Sequence, residues 1–172
     1  MYIKTDGGLG QAPMLYGWNA GALGDSIPEP PVDSSAVIGC DTAAKPFDDF
    51  AFRSSAVPSK HGPRIKELAK IIVNSWVTDP NNAIRTVCLE GHTDNVGQAD
   101  RNKRLGLSRA KNLRATLKRA IFAEAAKTGF PQQITDSVTI LVSSKGEADP
   151  VVSNTTSLGR RRNRRVRFAF ST

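Results

Sequence analysis

Asp94 and Arg109 are the residues of this sequence best placed to hold something. Asp94 sits in a glycine-flanked loop, GHTDNVG (residues 91–97), and Arg109 follows 15 residues later in ADRNKRLGLSRA (residues 99–110), with few apolar residues between them to explain either charge. A carboxylate accepts readily from an ammonium, and a planar guanidinium clamps a carboxylate through two parallel hydrogen bonds. The two groups either close on each other as a plain salt bridge, worth only about 0–1 kcal/mol if exposed, or stay apart for a ligand that carries both charges. Asn102 lies seven residues before Arg109, on a similar face of the same expected helix.

Other chemistry finds less support. His61 and His92 are the only histidines, and neither has the spaced partners that zinc needs. His92 with Asp94 and Ser108 lacks a nucleophile elbow, so His92 reads as a loop histidine bonded to backbone. Glu147 and Asp149 lie between Gly146 and Pro150 and read as turn residues. No catalytic group, metal site or cofactor is expected, and the chain reads as a non-enzyme.

The elements that must position these residues follow from periodicity. FAFRS (residues 50–54) alternates as a short strand, and Pro58-Ser59 opens a helix. Ile65, Leu68, Ala69, Ile72 and Trp76 then recur at helical spacing, and Asp79-Pro80 stops them. Residues 84–90 form a strand. A long helix runs from about Asp100 to Lys127, with Gly129 and Pro131 closing it. Val138, Ile140 and Val142 mark a third strand, and Val166, Phe168 and Phe170 a fourth after a long loop. The expected fold is α/β: a small two-layer βαβαββ sandwich with helices packed on one mixed sheet and an irregular N-terminal arm.

Charge marks where that arm ends. Residues 1–49 hold 2 Lys+Arg against 7 Asp+Glu, whereas the other 123 residues hold 22 against 9. The first 49 also take 7 of 14 glycines and 5 of 10 prolines, a composition of irregular chain. Met14, Leu15, Tyr16 and Trp18 are unusual in a passive linker, so residues 1–49 are expected to dock on a protein partner and residues 50–172 to form the domain. No apolar run approaches the roughly 20 residues that span a bilayer. The first 21 residues lack the basic start and apolar block of a secretory signal. VIGC, ending at Cys40, resembles a lipoprotein cleavage site only faintly, since polar, proline-rich residues precede it. Cys40 and Cys88 allow one disulfide, but a buried thiol at Cys88 and a spare one at Cys40 is the plainer expectation.

RRRNRRVR (Arg160 to Arg167) packs six arginines into eight residues. Clustered arginine neutralises phosphates, yet the Val166, Phe168, Phe170 alternation makes this a strand, and no nucleic-acid motif accompanies it. A solvated basic surface is expected rather than a nucleic-acid site. Arg164, at the loop's end, is expected to help line the cleft.

GHTDNVG, N-x-x-LG-x-x-RA (Asn102 to Ala110), G-E-x-x-P (Gly146 to Pro150) and N-x-T-x-x-GRRRNRRV (Asn154 to Val166) together resemble the OmpA-like peptidoglycan-binding domain, over residues 50–172. The resemblance implies non-covalent binding of the peptidoglycan peptide stem at the zwitterionic end of diaminopimelate. Asp94 would take the ammonium, Arg109 the carboxylate, Asn102 would orient the ligand, and the Thr93 hydroxyl would cap its carboxylate. It also implies a cell-wall anchor in the periplasm or outer-membrane envelope; the missing signal leaves a second setting, a phage particle or injection device that contacts the wall. An alternative is a structural subunit of an envelope or phage/injection assembly that uses the fold for protein contacts, or a binder of anionic polymer or nucleic acid acting through the Arg160 to Arg167 run. Three positions depart from the family pattern: Arg53 stands where Asp or Asn is common, Ser144 where glycine is common, and Arg167 where Glu is frequent.

Overall fold

Ile65, Leu68, Ala69, Ile72 and Val73 recur every three or four residues and form the buried face of α1 (Gly62–Thr78). The computed structural model of the protein describes residues 45–171. Pro63 suits the first turn of α1, where an amide N–H would have no helical partner. At its far end the Trp76 indole N–H donates to the Ile84 carbonyl at 3.0 Å, tying the helix to the chain that leads into the sheet.

Three strands make that sheet: β1 (Thr86–His92), β2 (Thr139–Gly146) and β3 (Val166–Ser171), in the order β2-β1-β3. β2 runs parallel to β1 and β3 antiparallel to it. Between β1 and β2 the chain crosses over through α2 (Ala99–Ala125) and α3 (Pro131–Ser137). α2 places Gly106, Ala110, Leu113, Leu117, Ile121 and Ala125 inward at helical spacing. All of them but Gly106 meet Val87, Leu89, Ile140, Val142, Val166 and Phe168 in one core. The expected two-layer α/β class therefore holds, with four helices and a three-stranded mixed sheet among the described residues.

The expected first strand does not form. Residues 50–54 make a turn rather than FAFRS pairing in the sheet. Phe47 takes that role through a single antiparallel bridge to Val166 (N–H···O 2.9 and 2.7 Å). Alternation over five residues is equally the pattern of a turn that buries one phenylalanine, Phe50, and exposes the next, Phe52. Phe47 lies in the segment expected as arm, yet it is 1% exposed in the core. The arm's Met14, Leu15, Tyr16 and Trp18 lie outside the described residues. Two short helices were not expected: α3, which follows Gly129 (φ 83°) and opens on Pro131, and α4 (Ser157–Asn163) inside the expected long loop. Thr156 caps α4 by accepting from the Gly159 N–H at 3.0 Å. Cys88 is disulfide-bonded rather than a free buried thiol. Cys40, the other cysteine of the sequence, lies outside the described residues.

α4 also ties down the chain before α1. Arg161 grips Asp49 in a fork, Nε–Oδ1 2.6 Å and Nη2–Oδ2 2.9 Å, and Lys60 contacts the same carboxylate. The Arg161 hydrogen bond, outweighing burial, holds the Asp49 carboxyl down at about 2, against an ordinary 3.8. A folded-state value below the unfolded one stabilises above about pH 4 and loses that contribution as pH falls toward 2. Both cations are largely exposed, so solvent screening limits the effect to at most about 1 kcal/mol. Asp49→Asn is expected to flatten the urea midpoint between pH 4 and pH 2; an acid slope identical to that of the parent protein would show that the pair contributes nothing.

Candidate functional site

β1 delivers the site loop and α2 the opposing wall. At the end of β1 the Thr93 N–H donates to the Gly146 carbonyl at 2.8 Å, which pins the loop that carries Asp94 to β2. Gly91 and Gly106 let α2 approach closely: a Cβ on Gly91 would stand 1.8 Å from the Gly106 carbonyl oxygen. Ser144 fits the same seam, its hydroxyl donating to the Gly91 carbonyl at 3.1 Å. It is tolerated because Gly106 has no side chain to meet it, a Cβ there lying 2.3 Å from that hydroxyl.

Asp94 and Arg109 line one cleft of about 240 Å³, and they are not paired with each other. The Asp94 carboxylate is 2.9 Å from Nη1 of Arg164, and its other oxygen accepts from the Val96 N–H at 3.3 Å. Arg164 is fixed in turn, donating through Nε to the Phe50 carbonyl at 2.6 Å. Arg164 thus ties Asp94 to the 50–54 turn. Thr93 is buried, and its hydroxyl has no hydrogen-bond partner among the described residues.

Arg109 is 0% exposed. Nε donates to Ser54 O at 2.9 Å, Nη1 to His92 O at 2.8 Å and Nη2 to Ala51 O at 3.1 Å. Two of the five guanidinium N–H groups remain for other partners. Burial, with the Arg164 charge adding to it and Asp94 opposing, brings the group down to about 10. It therefore stays cationic at neutral pH. Arg109 stitches the 51–54 turn to the end of β1 and lends the cleft its charge.

Asn102 stands where the helical spacing put it, buried beside the loop. Its amide donates to the Asp94 carbonyl at 3.4 Å and to the Glu147 carboxylate. Glu147 thus does more than turn the chain. Asn163 is a second buried polar residue; it lies inside the GRRRNRRV motif, but the spacing gave it no role. Its Oδ1 accepts from the Val151 N–H at 3.0 Å and its Nδ2 donates to the Val152 carbonyl at 2.7 Å, which shapes the loop ahead of α4. Only its partners, brought in by the fold, reveal its function.

His92 is not a loop histidine bonded to backbone. It ends β1, 0% exposed, with Nε2 3.1 Å from the Glu90 carboxylate, although neither ring nitrogen achieves hydrogen-bond geometry. Burial lowers its pKa below the ordinary value, with the Glu90 contact opposing. Glu90, His92 and Asp149 bring three ligand-type atoms within 4.8 Å of one another. Arg165 and Arg167 both lie against the Asp149 carboxylate (3.4 and 3.3 Å), so guanidiniums already balance these acids.

The arginine run does not present one surface. Arg160, Arg161 and Arg162 ride on α4, whereas Arg167 belongs to β3. Arg161 pairs with Asp49, Arg164 with Asp94, and Arg165 and Arg167 with Asp149. Arg160 donates to the Asn154 carbonyl at 2.8 Å. Arg165, expected to be solvated, is 1% exposed. A run so spent on internal partners is poorly arranged to track a phosphate backbone.

The sequence profile of the OmpA family matches residues 49–164. Over 83 residues the chain is 40% identical to the outer-membrane lipoprotein YfiB of Pseudomonas aeruginosa, a match that covers 48% of this chain and 42% of that protein. The aligned stretch is thus less than half of that relative's own length. Two solved structures are similar. One is the C-terminal domain of Helicobacter pylori MotB, with a TM-score of 0.56 and 23% identity over 75% of this chain and 85% of that one. The other is the peptidoglycan-associated lipoprotein from Burkholderia pseudomallei, with a TM-score of 0.55 and 21% identity over 74% and 91%. At these identities the likeness is one of fold. No helix among the described residues is long and apolar enough to cross a membrane.

Proposed function

The chain belongs to the OmpA family, and on that premise we propose that it binds peptidoglycan without covalent chemistry, anchoring a partner or a larger assembly to the bacterial cell wall from within the envelope. The observation that carries the reading is the cleft between Asp94 and Arg109, two opposite charges that share a wall but not a bond. The ligand is the diaminopimelate of the peptide stem. Its ammonium approaches Asp94 and its carboxylate the Arg109 side, where two N–H groups and the charge remain. Asn102, buried beside the loop and held by Glu147, orients the ligand; the Thr93 hydroxyl caps its carboxylate. The protein performs no bond-making step. The N-terminal arm supplies the attachment to a protein partner.

Arg164 sharpens the proposal. It neutralises Asp94 in the free protein, so an incoming ammonium must share or displace that contact. The grip is then reversible by construction, because a guanidinium stands ready to take the carboxylate back. Asp94→Asn keeps the shape of the loop but removes the charge. It is expected to weaken pelleting with purified peptidoglycan by about 2–5 kcal/mol, which is roughly thirty-fold to several-thousand-fold, if the ligand desolvates the pair. Free diaminopimelate should compete. Pelleting that Asp94→Asn leaves intact, or that diaminopimelate fails to reduce, would remove the assignment.

A further inference from the structure

Among the described residues Asp94 is the one carboxylate lining the cleft, and Arg164 already meets its charge. Four guanidiniums line the same cleft: Arg53, Arg101, Arg104 and Arg109. Arg109 is buried under its three carbonyl acceptors, whereas the other three are exposed. No carboxylate among the described residues pairs with Arg53, Arg101 or Arg104. A zwitterion brings one carboxylate. Three additional cations exceed what it needs, and they leave the rim with a strongly positive potential.

Arg53 carries the most telling detail. Its φ is +55°, in the left-handed region that costs a side chain with a full Cβ and suits Gly or Asn. Its guanidinium lies 5.0 Å over the ring of Phe52, itself exposed at the cleft. A long cation held in a strained backbone conformation at the mouth of a cleft is strain placed at a functional position.

We propose that Arg53, Arg101 and Arg104 form a rim subsite that selects wall stems whose remaining carboxyl groups are free rather than amidated. The inference rests on the wall-stem reading above and names the substrate class of that same cleft. In the stem, glutamate is joined through its side-chain carboxyl, so its α-carboxyl is left either as a carboxylate or as an amide. Only the carboxylate is attracted by the three arginines. An amide of nearly the same shape receives a hydrogen bond at most, so discrimination comes from charge.

The full chain is titrated calorimetrically with two soluble probes, the tripeptide L-alanyl-γ-D-glutamyl-diaminopimelate and the same tripeptide amidated at the glutamate α-carboxyl. The free acid is expected to bind about tenfold tighter, from exposed contacts individually worth up to a few-fold, with the ratio shrinking as salt is raised. Arg53→Asn is expected to narrow that ratio about threefold while the thermal midpoint stays level or rises, because Asn relieves the backbone strain. A merely structural Arg53 would lower the midpoint and leave the ratio alone. Combining Arg53→Asn with Arg101→Gln and Arg104→Gln should abolish the preference. Equal binding of the two peptides by the parent protein, or a preference that survives the triple substitution, overturns the subsite alone. Binding of neither peptide overturns the wall-stem reading and the subsite with it.

Discussion

Arg109→Ala is expected to destabilise the protein by about 3–5 kcal/mol, whatever it does to ligand. The guanidinium is 0% exposed and donates to Ser54 O, His92 O and Ala51 O. Hydrogen bonds from a charged donor contribute about 1.5–3 kcal/mol each, and a buried carbonyl left without a partner costs about 1–3 kcal/mol. Their sum is reduced because water can enter the vacated space from the cleft side. Arg109→Lys should recover only part of the loss, since one ammonium cannot reach three carbonyls set in a fork. Urea midpoints at an unchanged m-value measure the effect; a loss under about 1 kcal/mol would show that the three bonds are dispensable. Loss of wall binding in Arg109→Ala alone therefore says little about ligand contact. Asp94→Asn is the cleaner variant.

Gly91→Ala is expected to be comparably severe, at about 3 kcal/mol or more, at the upper end of what overpacking costs. The added methyl would lie 1.8 Å from the Gly106 carbonyl oxygen and 2.4 Å from its carbon. Both atoms are backbone, so no rotamer change relieves the clash and α2 must lift away from β1. Asn102 and Arg109 lie on α2 to either side of Gly106, and they would move with it away from Asp94. Gly106→Ala offers a contrast. Its nearest obstacle is the Ser144 hydroxyl at 2.3 Å, with the Gly91 carbonyl oxygen further off at 2.9 Å. Adding Ser144→Gly should therefore restore part of the stability of Gly106→Ala, whereas it should do nothing for Gly91→Ala. Thermal unfolding of the four variants decides this; rescue of Gly91→Ala by Ser144→Gly would show that the seam is looser than its contacts imply.

Much of the scaffold was legible because it is local. α1, α2, β1 and the later strands announce themselves through periods of 3.6 and 2, which report only whether neighbouring residues face core or water. The same locality explains the failures. Five alternating residues at 50–54 satisfy a strand and a turn equally, and only the proximity of Val166 shows that Phe47, not this segment, pairs with the sheet. α4 is too short for its period to stand out from a polar, arginine-rich loop. The disulfide at Cys88 depends on closure over a distance that spacing cannot measure.

The sequence by itself determined that Asp94 would leave β1 on a glycine-flanked loop, and that Asn102 and Arg109 would share a face of the next helix. Adjacent chain geometry requires both. Which partner each charge takes was decided only by the tertiary structure. Asp94 meets Arg164 from 70 residues away, and Arg109 meets carbonyls up to 58 residues away. Hydrogen-bonding capacity is a property of a residue type, but its satisfaction depends on which donors and acceptors the folded chain brings together. For that reason the cleft holds its two central charges apart by giving each a partner of its own.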